Sequence, residues 1–271
     1  MTPENLHHLQ SLLVSRTGFL LGADRAHLAA HRLGPVARRE GYSGVDGLMD
    51  AVRAEAPGAL AWSAMEAVLN PETWFRRERS SFDTFGKELL PALGKARGGQ
   101  PVKVWSAGCS TGQEAWSLAI AAREAGVAVE IVATDLSQRA LEKARSGAYT
   151  GFEIQRGLKA ETMLRCFDQT EDAWIAKAEL RAMVHFARAN LVDAPTDAHQ
   201  FDIIFCRHLL GDADPARRSE MFDNLERRLV DDGCLFLGPD EQPDGDSIAF
   251  RPVAGRKGLF VKSPSALKRA A

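Results

Sequence analysis

The stretch Val102-Lys-Val-Trp-Ser-Ala-Gly-Cys-Ser-Thr-Gly112 decides the fold of this 271-residue chain. Its first half is a short apolar run typical of a buried strand, and its second half is a loop of small residues that leads into a predicted helix, Gln113–Ala125. Gly108 and Gly112 carry no Cβ, so the backbone of this loop can approach a ligand closely. The first turn of the helix adds N–H groups that have no intrahelical partner. The sequence therefore predicts a ligand site at the carboxyl end of this strand.

A second apolar run, Val129–Thr134, predicts the neighbouring strand, and Asp135 lies at its tip. In nucleotide-binding α/β folds, an acidic side chain at this place accepts hydrogen bonds from a ribose. The loop spacing is Gly-x3-Gly, whereas dinucleotide sites typically have Gly-x-Gly-x2-Gly. The pattern therefore favours a nucleoside ligand without a pyrophosphate, of which S-adenosylmethionine is the commonest, over NAD.

Composition and charge limit the class of protein. A hydrophobic content of 45% is sufficient for a packed core, and a formal net charge of -2 argues against general affinity for nucleic acid or membranes. The four cysteines show no metal-binding spacing, so we predict no metal site. Three of them lie in or beside apolar strand-like runs, which predicts small buried side chains. The sequence starts without a signal peptide and has no apolar run approaching the ~18 residues that span a bilayer. These features indicate a soluble, cytoplasmic protein.

The chain has two regions of different character. Residues 1–69 show helical periodicity without a strand pattern, which predicts an all-helical N-terminal domain. Residues 70–100 are predicted to be an interdomain linker that contributes to the ligand site. Residues 101–271 alternate strands and helices, which predicts a Rossmann-like α/β sheet of seven strands that ends in an antiparallel hairpin. The expected strands are 102–107, 129–134, 183–188, 202–206, 233–238, 247–252 and 258–262; the expected helices are 113–125, 137–146 and 214–230, with a small insertion near 155–181.

Five short motifs follow one another along the chain. They are Pro71-Glu-Thr-Trp-Phe-Arg-Arg-Glu78 with Phe82, Trp105-Ser-Ala-Gly-Cys-Ser-Thr-Gly-Gln-Glu114, Ala133-Thr-Asp-Leu-Ser137, Leu141-Glu-Lys-Ala-Arg-Ser-Gly-Ala-Tyr149 and Phe201-Asp-Ile-Ile-Phe-Cys-Arg207. Together they resemble the CheR-type chemotaxis receptor methyltransferases. The resemblance covers nearly the whole chain, including the helical N-terminal region, and its most specific motifs are Leu141–Tyr149 and the Phe-Cys-Arg that ends at Arg207.

The resemblance implies a class I S-adenosylmethionine-dependent methyltransferase. Its expected activity is methyl transfer to glutamate side chains on the cytoplasmic helices of chemoreceptors, with S-adenosylhomocysteine as the second product. Asp135 matches the residue that binds the ribose, and Asn190 and Leu191 match the pair that lines the adenine pocket. The implied cofactor-binding residues are Thr73, Arg77, Glu114, Asp135, Asn190, Leu191, His208 and Leu209.

The residue types suit the chemistry of this reaction. A glutamate carboxylate is already ionised near neutral pH, so its methylation requires no strong general base. Catalysis then depends on holding a carboxylate oxygen in line with the sulfonium methyl group, in a site poor in water. Arg77 is the expected catalytic residue, because its planar guanidinium can bind a carboxylate while it stays charged. Glu114 is expected to neutralise the amino group of the cofactor.

Three segments depart from the family pattern. His208 replaces an asparagine that helps to bind cofactor. This histidine could contact the cofactor or lie in a solvated loop. Asp212 replaces a tyrosine near the reacting centre, where an acidic group would repel a substrate carboxylate. Arg76 replaces an aromatic residue, and Gly238-Pro-Asp-Glu241 keeps only the ends of the usual Gly-His-Ser-Glu. The alternative function is therefore a cofactor-binding signalling protein with lost or altered methyltransferase activity.

Receptor docking is assigned to the helical domain by the resemblance. Arg25 and Arg32 lie seven residues apart on one face of a predicted helix and match basic positions of the family's docking helix. They could meet the acidic methylation region of a receptor, or form an ordinary solvated face. The insertion near 155–181 lacks the glycine-containing extension associated with binding of a receptor's C-terminal pentapeptide, so we expect no need for that peptide.

Two other methyltransferase classes compete with this interpretation. The net acidity and the lack of a basic stripe interleaved with aromatic residues argue against a nucleic-acid substrate. A helical domain ahead of the sheet argues against a small-molecule substrate.

Overall fold

The computed structural model describes residues 1–22, 26–54, 58–69, 71–194, 199–243 and 249–263. The chain divides into two compact units, Met1–Asn70 with Gly211–Glu220, and Pro71–Leu210 with Met221–Ala271. Residues 211–220 belong to the first unit, although the sequence predicts them to be part of the α/β region. They join the first unit through backbone contacts, such as the 2.7 Å hydrogen bond from the Leu20 N–H to the Asp212 carbonyl oxygen.

The described residues before position 70 form four helices, α1 (Pro3–Thr17), α2 (Ala26–Arg39), α3 (Val45–Ala54) and α4 (Ala59–Val68). The Thr2 hydroxyl caps α1 by accepting from the Asn5 N–H at 3.3 Å, and Gly18 ends the helix with a φ of 76°. The apolar faces of the helices form one core, which includes Leu9, Leu13, Leu33, Leu48 and Met49. The predicted helical character of this region is confirmed.

The described residues contain ten strands, all in the second unit. They are β1 (Val102–Ala107), β2 (Val129–Asp135), β3 (Ala148–Tyr149), β4 (Phe167–Gln169), β5 (Trp174–Ala176), β6 (Val184–Arg188), β7 (Phe201–Phe205), β8 (Leu229–Phe236), β9 (Phe250–Pro252) and β10 (Leu259–Lys262).

Seven of these strands form one sheet in the order β6-β2-β1-β7-β8-β10-β9. The first five strands of that order run parallel, and β10 is antiparallel to both β8 and β9. Ala107 pairs with Thr134 and Ser106 pairs with Phe205, so β1, β2 and β7 end at the same edge. Residues that follow these strands are thereby brought together, as expected for a ligand site in this kind of sheet. The predicted fold class is confirmed.

Helical segments connect the strands and cover the sheet. The core includes Trp116, Leu118 and Ile120 from the helix after β1, packed with Val104 and Ile131 from the sheet. The helices are α5 (Arg79–Thr84), α6 (Leu90–Ala96), α7 (Gln113–Ala125), α8 (Gln138–Ser146), α9 (Gly151–Gln155), α10 (Ala160–Cys166), α11 (Ala178–Arg181) and α12 (Pro215–Arg228), with a π-helical turn at Phe85–Leu89 and a 3-10 turn at Leu210–Asp212.

The predicted insertion is larger than the sequence indicated. Strands β3, β5 and β4 form a separate three-stranded sheet, which begins at Ala148 and not near residue 155. Strand β8 also begins at Leu229, four residues before the expected position. Strands of two or three residues show too few alternations to produce a periodic pattern, because side-chain alternation needs about four residues to be recognised.

All four cysteines are buried, including the three for which burial is predicted from the sequence. Burial raises the pKa of the Cys109 and Cys206 thiols well above its ordinary value, and it raises the pKa of Cys234 to about 12. These three thiols are therefore neutral and act as small apolar side chains. Among the described helices, none is both long and apolar enough to cross a membrane.

Candidate active site

The loop between β1 and α7 has a conformation and a packing that require glycine. Gly108 and Gly112 have φ angles of 80° and 94°. A Cβ on Gly108 would lie 2.7 Å from the Leu209 Cδ2 atom. A Cβ on Gly112 would lie 2.8 Å from the Ala144 Cβ atom. The backbone of this loop therefore lies directly against its neighbours at both glycines.

We expect Gly112→Ala to lower the free energy of unfolding by about 2 kcal/mol, because it combines backbone strain with steric overlap. Gly126→Ala is the matched control, since Gly126 has a φ of 66° but its added Cβ would meet nothing within 4 Å. Gly126→Ala should lower the free energy of unfolding by about 1 kcal/mol, from backbone strain alone. Chemical denaturation of both variants measures the difference, and equal losses would contradict the close packing at Gly112.

The Asp135 carboxylate holds the same loop. Its Oδ2 accepts from the Ser110 N–H at 2.7 Å, and its Oδ1 accepts from the Ser137 N–H at 2.8 Å. A carboxylate offers about four acceptor positions, so these bonds are compatible with further donors such as ribose hydroxyls. Asp135 thus links the ends of β1 and β2 at the place where the sequence predicts the ribose.

Asn190 and Leu191 follow β6 beside the end of β2. The Ala189 N–H donates to the Asp135 carbonyl oxygen at 3.2 Å, which keeps this turn at the same edge of the sheet. Asn224 of α12 is only 5% exposed and donates from Nδ2 to the Leu191 carbonyl oxygen at 2.8 Å. A buried amide therefore fixes the turn that carries the predicted adenine pocket.

Arg207 connects three parts of the site immediately after β7. Its side chain is only 1% exposed, and it donates to the Glu114 Oε2 at 3.1 Å and to the Arg77 carbonyl oxygen at 2.7 Å. It also pairs with the Glu78 carboxylate. The Ser106 hydroxyl donates to the other Glu114 oxygen at 2.8 Å. One buried guanidinium thus joins the end of β1, the start of α7 and the 71–78 segment.

The Glu241 carboxylate fixes the residues that follow Arg207. It accepts from the backbone N–H groups of His208 and Gly238, both at 2.7 Å, and from that of Leu209 at 2.8 Å. A Cβ on Gly238 would lie 2.7 Å from a Glu241 oxygen, so a side chain at position 238 would push this carboxylate out of its place. Leu209 in turn contacts Gly108, which brings this predicted cofactor residue against the glycine loop.

Arg207, Glu78 and Glu114 form a charged cluster. His208 lies inside this cluster and is not a solvated loop residue. Its Nε2 is 2.8 Å from the Glu78 Oε2, and its side chain is 24% exposed. Its φ of 58° is unusual for a residue with a Cβ. The Glu241 bond to its N–H and the Glu78 bond to its ring together stabilise that conformation.

Arg77 lies over the ring of Trp74, with its guanidinium carbon 4.2 Å from the ring centre. It donates to the Glu72 carbonyl oxygen at 3.2 Å, and its Nε is 3.7 Å from the Glu78 Oε1. Burial lowers the pKa of Arg77, and the neighbouring Glu78 carboxylate opposes that effect. Thr73 is half-buried in the same segment. The predicted catalytic arginine is therefore stacked on Trp74 and oriented by contacts within its own segment.

Backbone strain is concentrated around these residues. Within the described ranges, the non-glycine residues with positive φ are Arg76, Glu78, Ser110 and His208. They belong to the 71–78 segment, the glycine loop and the segment after β7. Such conformations cost about 1–3 kcal/mol each and persist where the surrounding structure imposes them, commonly at functional sites.

The predicted docking residues belong to the helical unit. Arg25 lies outside the described residues. Arg32 on α2 is half-buried and donates to the carbonyl oxygens of Val68 and Leu69, both at 3.0 Å. Arg32 therefore caps the C-terminal end of α4, where unpaired carbonyl groups need donors.

Several residues of the site were not assigned from the sequence. Arg207 and Glu78 lie within motifs of the family, but the motifs alone give them no role, and Glu241 is only the retained end of another motif. Nothing in the sequence distinguishes Asn224. The sequence does carry one signal for Arg207, because it is a charged residue that closely follows the apolar strand 201–205. A charge at the end of a buried strand requires oppositely charged or hydrogen-bonding partners.

The fold and the site together define an α/β protein with a glycine-containing loop after β1 and an acidic residue at the end of β2, an arrangement typical of nucleotide-binding folds. A profile described as "CheR methyltransferase, SAM binding domain" matches residues 71–259. The chain belongs to the CheR methyltransferase family. It is a methyltransferase that uses S-adenosylmethionine.

Three relatives illustrate this membership. Chemotaxis protein methyltransferase 1 of Pseudomonas aeruginosa is 32% identical over 255 residues, which cover 91% of this chain and 93% of that protein. Chemotaxis protein methyltransferase Cher2 of Pseudomonas putida is 30% identical with the same coverage of both chains. The probable biofilm formation methyltransferase WspC of Pseudomonas aeruginosa is 36% identical over 212 residues, which cover 72% of this chain and 49% of that protein.

Proposed function

We propose that this enzyme methylates glutamate side chains of chemoreceptors, forming methyl esters in chemosensory adaptation. The observation that carries the proposal is the cluster around Arg207, which fixes the segment of Arg77 beside the glycine loop. That arrangement supports a role for Arg77 as the cation that binds the substrate carboxylate beside the predicted cofactor site. The names of two relatives, chemotaxis protein methyltransferases, support the same substrate class.

The residues at the strand ends fit the cofactor. S-adenosylmethionine, when bound, supplies an electrophilic methyl group on a sulfonium. The Asp135 carboxylate would bind the ribose, and Glu114 would face the amino group of the methionine part. Asn190 and Leu191 would line the adenine pocket. The remaining residues proposed to enclose the cofactor are Thr73, Arg77, His208 and Leu209.

The proposed role of the protein in catalysis is positioning. An ionised glutamate carboxylate needs no proton removed before it is methylated, so no general base is required. Arg77 can hold a carboxylate through paired N–H donors, and its stacking on Trp74 limits its rotation. Orientation in a site that excludes water then lowers the barrier.

The helical unit is proposed to dock the receptor through Arg25 and Arg32. Arg32 also donates to two carbonyl groups at the end of α4, so its substitution would alter docking and folding together. Substitution at position 25 is therefore the cleaner test of docking.

Labelling with methyl-tritiated S-adenosylmethionine tests the function. Incubated with membranes that contain chemoreceptors, the enzyme should transfer label to the receptor, and mild base should release it as methanol, because methyl esters hydrolyse under these conditions. Base-stable label would indicate a different acceptor group. Tight binding of cofactor without any label would favour the alternative, a cofactor-binding signalling protein.

A further inference from the structure

The ring of Trp74 carries two guanidinium groups. Besides Arg77, Arg156 lies over this ring, with its guanidinium carbon 4.1 Å from the ring centre. Arg156 also donates to the Glu72 carboxylate at 3.0 Å. Arg156 and Glu72 are 45% and 52% exposed, so this second cation faces solvent beside the predicted catalytic arginine.

The fold holds Arg156 in this place. The next residue, Gly157, has a φ of 113°, and a Cβ on it would lie 1.8 Å from the Phe75 carbonyl oxygen. The Phe75 ring is fully buried, and its centre lies 5.0 Å from the ring centre of Tyr149 and 5.7 Å from that of Phe167. The insertion is therefore packed directly against the backbone of the 71–78 segment, which sets the distance between Arg156 and Trp74.

The ion pairs around Trp74 leave the Arg156 guanidinium able to exchange its carboxylate partner for another one. Glu78 is shared between Arg77, Arg207 and His208 inside the cluster. Arg156 pairs with Glu72, and an exposed pair of this kind contributes only about 0–1 kcal/mol. A substrate carboxylate could replace Glu72 at little cost, because the stacked guanidinium keeps its position and its planar set of donors.

We propose that Arg156, stacked on Trp74, binds an acidic side chain of the receptor segment that flanks the accepting glutamate. The inference rests on the proposed function and adds a specificity-determining residue to it. Arg77 holds the carboxylate that is methylated, and Arg156 selects for a second negative charge beside it. The partner is therefore an acidic helical segment.

The test uses the full-length enzyme and a cytoplasmic receptor fragment with one acceptor glutamate. A second form of the fragment has the acidic residues flanking the acceptor changed to glutamine. With the acidic fragment, Arg156→Gln should raise KM about fivefold and leave kcat and cofactor affinity unchanged. With the neutral fragment, wild type and Arg156→Gln should show the same KM. Arg156→Lys should restore part of the loss.

Arg251→Gln is the matched control, since Arg251 is an exposed arginine on β9. It should leave KM unchanged for both fragments. An equal rise of KM for both fragments in Arg156→Gln, or a fall in its cofactor affinity, would overturn the inference by showing a structural role. Failure of the wild-type enzyme to label either fragment would overturn the proposed function, and this inference with it.

Discussion

Arg207→Met is expected to lower the free energy of unfolding by about 3–5 kcal/mol and to abolish measurable binding of S-adenosylhomocysteine. The guanidinium is almost completely buried and pairs with both Glu78 and Glu114. Methionine preserves much of the volume but removes the cation that Glu114 pairs with and one of the partners of Glu78. The segment of Arg77 would also lose the bond to its carbonyl oxygen, and with it a fixed position beside the glycine loop.

Arg97→Met is the matched control for this prediction. Arg97 also links two carboxylates, Asp202 and Asp232, at 2.7 and 2.8 Å, and these pairs raise its pKa. Asp202 is the second residue of β7, so this cluster lies at the opposite end of that strand from Arg207. Arg97→Met should reduce stability and preserve affinity for S-adenosylhomocysteine. Denaturation and calorimetric titration of both variants measure the two quantities. Equal losses of affinity would contradict a specific role for Arg207 in the cofactor site.

The elements that could be predicted from the sequence are those whose structure is determined by neighbouring residues. The strand ending at Ala107, the glycine loop and the helix from Gln113 to Ala125 were predicted with correct bounds, because each depends on neighbouring residues. Asp135 was placed correctly at the tip of β2 for the same reason. The short strands of the insertion were not recognised, since they depend on pairing between segments and not on their own pattern.

The contacts around Arg207 could not be derived in the same way. Its partners Glu114 and Glu78 lie 93 and 129 positions away in the sequence, so only the folded chain brings them together. The sequence shows which residues are charged, but pairing depends on which strand ends become neighbours. His208 illustrates the point, because the sequence leaves both cofactor contact and a solvated loop position open to it, whereas the structure gives its ring a carboxylate partner, Glu78.

The retained ends of the Gly238-Pro-Asp-Glu241 motif also have a physical explanation in the fold. Glu241 accepts from the Gly238 N–H, and a Cβ at position 238 would displace its carboxylate. The two ends therefore contact each other directly, while Asp240 between them is 91% exposed and pairs with Lys257 on the surface. This difference in burial makes the motif a suitable place for a paired test.

Glu241→Gln is expected to weaken binding of S-adenosylhomocysteine about 30-fold or more, equivalent to about 2–3 kcal/mol. Both carboxylate oxygens of Glu241 accept from backbone N–H groups. A glutamine presents one NH2 group, which cannot accept, so at least one buried N–H would face another donor. The positive φ of His208 would lose its support, and Leu209 would be free to move away from Gly108.

Asp240→Asn is the matched control for Glu241→Gln, because it removes the same charge one residue away, at a surface ion pair with little effect on stability. Calorimetric titration should show wild-type affinity for Asp240→Asn and weakened affinity for Glu241→Gln, with both proteins folded by circular dichroism. Wild-type affinity in Glu241→Gln would show that the segment after β7 keeps its position without the carboxylate. The same loss in both variants would attribute the effect to net charge. A selective loss in Glu241→Gln would instead establish that the backbone bonds to Glu241 hold one wall of the cofactor site.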